Sequence, residues 1–171
     1  MVNVKPGEHL TKLNTKDEYL AFRQHAHDRW DAMWNNDATI VSVGVGSSSV
    51  TKGAFEILEK AHEVGGNTIV REVSGNGAFW MEPWIEVARP GQQPIVYGPL
   101  TTNDVAGVIA GERDDLAVGV RGDKPEGPIK PLTDIDFFKH QNQLLTRNAG
   151  LIEPESIEDA IARGAYDGYF K

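Results

Sequence analysis

Apolar positions along the chain recur with two periods. From Thr15 to Trp34, the residues Tyr19, Phe22, Ala26, Trp30 and Met33 fall three or four apart. That spacing predicts a helix with one apolar face, capped by Asn14 or Thr15, with Asp17 and Glu18 in its first turn. Asn35-Asn36-Asp37 ends it. The β-branched run Thr39, Ile40, Val41, Val43 and Val45 predicts a buried strand, interrupted by Gly44 and Gly46 before three serines. Ala54, Ile57, Leu58 and Ala61 form the stripe of a second helix over Val50 to Val64, stopped by Gly65-Gly66.

Shorter signals follow. Asn67 to Val73 reads as a strand, Ser74 to Gly77 as a turn, and Ala78 to Pro83 as a compact aromatic corner. Trp84 to Ala88 and Pro94 to Tyr97 pair as a hairpin around Arg89-Pro90-Gly91. Thr102-Asn103-Asp104 caps a third helix to about Ala110. Arg121 to Pro131 is a Gly-, Pro- and Lys-rich linker. Thr133 then opens a helix from Asp134 to about Arg147 with Ile135, Phe138 and Leu145 inward, and Gly150 stops it. Pro154 introduces a last helix, Glu155 to about Arg163.

This order predicts an α/β fold, a thioredoxin-like sandwich in which a four-stranded mixed sheet is flanked by helices, with a C-terminal helical extension. The first strand needs a helical crossover to pair in parallel with its successor. The expected division is a flexible N-terminus over 1–14, the thioredoxin-like domain over 15–120, a linker over 121–131 and the helical extension over 132–171.

Composition narrows the classes of function. A chain of 171 residues suffices for one domain with a proper core. With 25 acidic against 17 basic residues, a formal charge of −8 and no basic run, repulsion from nucleic acid and anionic membranes is expected. The complete lack of cysteine excludes disulfides, thiolate zinc sites, cysteine nucleophiles and cysteine-ligated iron–sulfur clusters in this chain. Met1 to Glu8 lacks the apolar core of a signal peptide, and no stretch has the apolar length of a membrane span. The expectation is a cytoplasmic protein without membrane insertion.

Each candidate motif misses a required residue. A dinucleotide fingerprint beginning Gly44, Gly46 has Ser49 where a third glycine is needed. A phosphate loop from Gly46 places Lys52 correctly but lacks the second glycine and the magnesium-binding hydroxyl. A nucleophile elbow at Ser48 has Val50 in place of the closing glycine. The serines read better as helix caps. Of His9, His25, His27, His62 and His140, the two nearest in sequence point to different helix faces, so all five read as surface or half-buried residues. Glu82, beside Trp80 and Trp84, is either a carboxylate perturbed by apolar neighbours or, the commoner case, a salt-bridged or strand-edge one. Phe79, Trp80 and Trp84 suit ligand stacking less well than core or interface packing. Arg121-Gly122-Asp123 is a chance tripeptide in a chain of this kind. Nucleophile, base and electrostatic stabiliser are nowhere grouped, so spacing alone assigns no reaction.

Longer blocks carry a resemblance. Val41-Ser-Val-Gly-Val-Gly-Ser-Ser-Ser-Val-Thr-Lys-Gly-Ala54 keeps the spacing of V-x-V-G-x-x-T-C-G-x-x-x-G-A, and Val70-Arg-Glu-Val-Ser-Gly-Asn-Gly-Ala-Phe-Trp-Met-Glu-Pro83 that of V-x-E-V-G-C-x-G-x-C-x-x-E-P. Ile85 to Pro90, Tyr97 to Val105 and, most specifically, Phe137 to Ile161 match further blocks. Over about residues 15 to 171 the chain resembles the thioredoxin-like [2Fe-2S] ferredoxin module of complex-I-type NADH-binding flavoprotein subunits, found also in NAD-dependent formate dehydrogenases and bifurcating hydrogenases. The positions resembling cluster cysteines hold Ser48, Gly75 and Phe79, with Val43 or Gly44 near a fourth. Serine is a poor substitute for thiolate and the others offer no ligand, so the cluster is expected to be absent, with Phe79 filling part of its volume. The chain also ends before the glycine-rich FMN- and NADH-binding segment that the resemblance would place next.

The resemblance therefore implies a non-catalytic accessory subunit or domain of an NAD(H)-linked oxidoreductase complex. Trp80, Trp84, Phe137 and Phe138 are the candidate docking contacts to a NADH-binding flavoprotein or other redox subunits. FMN, NAD and iron–sulfur clusters are expected in those partner chains, with no catalytic, cofactor or metal residue in this one. Two alternatives stand beside it: the N-terminal part of an NADH dehydrogenase flavoprotein subunit acting in a holoenzyme, and a free-standing anion- or nucleotide-binding protein using the Gly44 to Gly53 loop.

Overall fold

The computed structural model describes residues 12–122 and 125–170. Most of the N-terminal segment expected to be flexible, together with His9 and Asp123, lies outside the described residues. In chain order the helices are α1 (Lys16–Trp34), α2 (Ser47–Val50), α3 (Ala54–Val64), α4 (Val105–Ala110), α5 (Asp136–Lys139) and α6 (Ile157–Ala162). The strands are β1 (Thr39–Val45), β2 (Thr68–Ser74), β3 (Ile85–Ala88), β4 (Ile95–Tyr97) and β5 (Ala117–Val120). Asp37–Leu151 forms one compact unit; α1 and α6 belong to a second, which joins the chain up to Asn36 with the chain from Ile152 onward.

The sheet of the first unit runs in the order β2-β1-β3-β4-β5. β1 and β2 are parallel, joined by the crossover through α2 and α3, and the other neighbours are antiparallel. This is the α/β sandwich with a mixed sheet that the pattern predicts, but with five strands rather than four. The added strand escapes a periodicity reading because it has only four residues, includes Gly119 and follows the polar run Glu112 to Asp115. Its partner is β4, at the sheet edge.

Alternation along the strands separates two buried faces. On one, Val41, Val43, Ile85, Val87 and Tyr97 pack with Ile57 and Ala61 of α3 and with Val105, Val108 and Ile109 of α4. The other gathers Val73, Trp84 and Val96 with Ala78 and Met81, and with the partly buried Val118, Leu132 and Phe138. A polar row crosses this second face. Ser42 is in register with Arg71 on β2 and with Glu86 on β3, and all three are buried. Glu86 accepts a hydrogen bond from Arg121 Nε at 2.5 Å, while Arg71 Nη1 donates to the Leu151 carbonyl at 3.3 Å.

Helix boundaries differ from expectation in two places. The helix expected from Val50 is split: α2 is a single turn, and α3 starts only after Gly53, whose φ of +95° suits glycine alone. The helix expected from Asp134 to Arg147 stops at Lys139, and Leu145, expected inward, is 97% exposed. The Gln141 side chain donates to the Phe137 carbonyl at 2.7 Å, satisfying an acceptor that a continuing helix would have used.

In the second unit α1 carries a capping box, with Thr15 Oγ1 accepting from Glu18 N and the Glu18 carboxylate accepting from Thr15 N. Its expected face is realised: Tyr19 and Ala26 pack with Ile161 and Ala162 of α6, beside the partly buried Phe22 and Trp30. Tyr19 Oη donates to the Ala165 carbonyl at 2.9 Å and to Asp167 Oδ1 at 3.0 Å. Among the described residues no helix is long and apolar enough to cross a membrane.

Candidate functional site

Two loops leave the parallel pair β1 and β2 at the same end. The first runs from Gly46 through α2 to Gly53; the second runs from Gly75 through a 3-10 turn, Phe79–Met81, to Glu82. They lie side by side, so that a Cβ on Gly46 would stand 3.7 Å from the Gly75 backbone nitrogen. Ser49 is spent within its own loop: its Oγ donates to the Gly46 carbonyl at 3.1 Å and accepts from Gly46 N at 2.8 Å. Thr51 Oγ1 donates to the Ser48 carbonyl at 2.7 Å. The expected serine cap is corrected: the N-caps of α2 and α3 are Gly46 and Gly53, neither with a side-chain cap bond, and Ser49 supplies only the reach back from the third helical position to the Gly46 amide.

Two hydrogen bonds join the loops. Ser48 Oγ donates to Glu82 Oε1 at 3.0 Å, and Lys52 Nζ donates to the Phe79 carbonyl at 2.5 Å. Glu82 is 4% exposed, and its Oε2 has no hydrogen-bond partner among the described residues. Gly75 adjoins the same carboxylate, 3.9 Å separating its would-be Cβ from Oε1. Glu82 is thus buried and bonded to a serine hydroxyl, and among the described residues no cation pairs with it, so it is not the salt-bridged carboxylate.

Ser48, Gly75 and Phe79, the positions resembling cluster ligands, therefore sit on two adjoining loops. As a donor set they do not fit an iron–sulfur cluster. Gly75 has no side chain, the Ser48 hydroxyl is committed to Glu82, and Phe79 is 61% exposed. The expectation that Phe79 fills interior volume is corrected: Ala78 and Met81, both fully buried, occupy the inside of the turn. Among the described residues no group of three or more metal-binding side chains occurs. His25, His62 and His140 are exposed and His27 is half-buried, as their spacing suggests.

The four candidate docking residues divide. Trp80 and Phe137 are 50% and 37% exposed and meet edge to face, their ring centroids 6.5 Å apart. Phe137 stacks edge-on against Phe138 at 5.0 Å, and Phe138 turns inward to the cluster of the second face. Trp84 is fully buried and is corrected from a surface contact to a core residue. Its ring lies over Gly44, where a Cβ would come within 2.2 Å of Trp84 Cε2. Gly44 is consequently a strand residue that makes room for an indole, not a phosphate-loop glycine.

Sequence reasoning missed the Glu86–Arg121 pair and the Lys52–Phe79 link. A lone acid inside the apolar strand Ile85–Ala88 is a legible signal for the first. The second depends on a side chain meeting a main-chain oxygen and has no signature in residue type. No protein-family model matches the chain. No curated protein matches it either.

Proposed function

We propose that this chain is a cluster-free, non-catalytic accessory subunit or domain of a cytoplasmic NAD(H)-linked oxidoreductase complex related to complex I, formate dehydrogenase or hydrogenase. The observation that carries the reading is the adjacency of Ser48, Gly75 and Phe79: three positions 27 and 4 residues apart in sequence fall on neighbouring loops, as ligand positions must, yet two of them offer no ligand and the third, a serine bonded to Glu82, is a poor substitute for thiolate. Electron transfer through this chain has no carrier in that reading, and FMN, NAD and iron–sulfur clusters belong to partner chains. Docking falls to the exposed aromatic pair Trp80 and Phe137, since large aromatic side chains contribute most per residue to protein interfaces.

The test is purification from the native cell. The expected result is recovery with an NADH-oxidising flavoprotein, while the isolated chain contains no iron and shows no visible [2Fe-2S] absorbance. Recovery of the chain alone, or an iron–sulfur spectrum from it, overturns the proposal.

A further inference from the structure

We infer that Ser48 and Lys52 are positioning residues: together they clasp the Phe79–Met81 turn from the neighbouring loop and fix the pose in which Phe79 and Trp80 are held out to solvent. The inference concerns bonds within the chain and stands apart from the docking reading.

The turn's own backbone bonds hold its far end least. Phe79 N reaches the Gly77 carbonyl and Met81 N the Ala78 carbonyl at 3.1 Å, and Glu82 N reaches the Phe79 carbonyl only at 3.4 Å. Two large aromatic side chains at 61% and 50% exposure gain by folding back onto apolar surface unless the backbone beneath them is held. The holding bonds come from far along the chain. Lys52 Nζ reaches the Phe79 carbonyl across 27 residues, at the turn's first residue, and Ser48 Oγ reaches Glu82 across 34 residues, just past its last. Both ends of the three-residue turn are thereby tied to one loop.

Glu82 makes the tie at the far end decisive. Its Oε2 already lacks a partner among the described residues, so removing the Ser48 hydroxyl strips the buried carboxylate of the one hydrogen bond those residues give it. A buried carboxylate without a partner is costly enough to leave for water, carrying the end of the turn with it.

Amide hydrogen exchange on the full chain tests the clasp with Ser48→Ala, Lys52→Met and the conservative variants Ser48→Thr and Lys52→Arg. Exchange across 75–82 is expected to rise about tenfold in Ser48→Ala and about threefold in Lys52→Met, magnitudes that follow from losing one charge-assisted hydrogen bond at a buried and at an exposed site. Ser48→Thr and Lys52→Arg are expected to restore protection, and amides of β3 and β4 to keep their rates in every variant. Unchanged exchange at 75–82 in both Ser48→Ala and Lys52→Met overturns the inference, as does an equal rise throughout the sheet, which would mark general destabilisation rather than a local clasp.

Discussion

Gly44 illustrates how one missing side chain places another. Thr39–Val45 is a central strand, where glycine ordinarily weakens packing, yet Trp84 uses the space above this glycine for its indole. An added methyl would have to displace a fully buried ring in a close-packed interior, so Gly44→Ala is expected to cost about 3 kcal/mol, the upper range for overpacking. Urea denaturation reads this as a lower midpoint at unchanged slope. The same contact explains why Trp84 could not be told from Trp80 in the sequence. Both are tryptophans of one aromatic corner, and the distinction between core and surface lies in a cross-strand glycine 40 residues earlier.

At the scale of elements, strong periodicity carried through to structure and weak periodicity did not. α1 and β1 fall where the spacing of their apolar residues puts them, because each has enough of them to define a face. The stretch after Lys139 has Leu145 at helical spacing from Phe138, but a side-chain hydrogen bond closes the helix first. Leu145→Glu is therefore expected to change stability by less than about 0.5 kcal/mol in denaturant melts, where an inward leucine in a helix would cost several times more. The entry to α4 depends on charge. Asp104 accepts from Thr101 Oγ1 at 2.6 Å and from Thr101 N at 2.9 Å, and pairs with Arg113. The Thr101 bonds foremost, then Arg113, hold its carboxyl below the ordinary 3.8. A depressed acid stabilises the fold above its unfolded value and ceases to do so as pH falls through its folded value. Wild type is expected to lose stability relative to Asp104→Asn below pH 3.8, by about 1 kcal/mol, since the partner Arg113 is itself partly exposed.

For the molecule as a whole, the polar row across the second sheet face is the principal feature that composition concealed. Burial pushes the Glu86 carboxyl above its ordinary 4.5, and Arg121 followed by Arg71 pulls against that rise without cancelling it. A raised acid contributes stability that is complete below the unfolded value and declines as pH rises through the folded one. The stability of wild type minus that of Glu86→Gln is accordingly expected to fall as pH rises above 4.5, measured by chemical denaturation at stepped pH. A difference that stays level or grows would mean that the arginines dominate. Fold class was legible because alternation and helical spacing report burial directly. The candidate site was legible only as two loops of suggestive spacing, since a serine bonded to a buried glutamate and a lysine bonded to a carbonyl are facts of three-dimensional placement.

The division of the chain into Asp37–Leu151 and a unit made from both flanks also orders its synthesis. The sheet unit is continuous and has all its strands once Val120 has left the ribosome, and the rest of its residues follow by Leu151. α1 emerges before the sheet unit but must wait, because the Ala165 carbonyl and Asp167 that receive the Tyr19 hydroxyl are translated only after it. A helix made ahead of the sheet unit thus finds its partners only behind it.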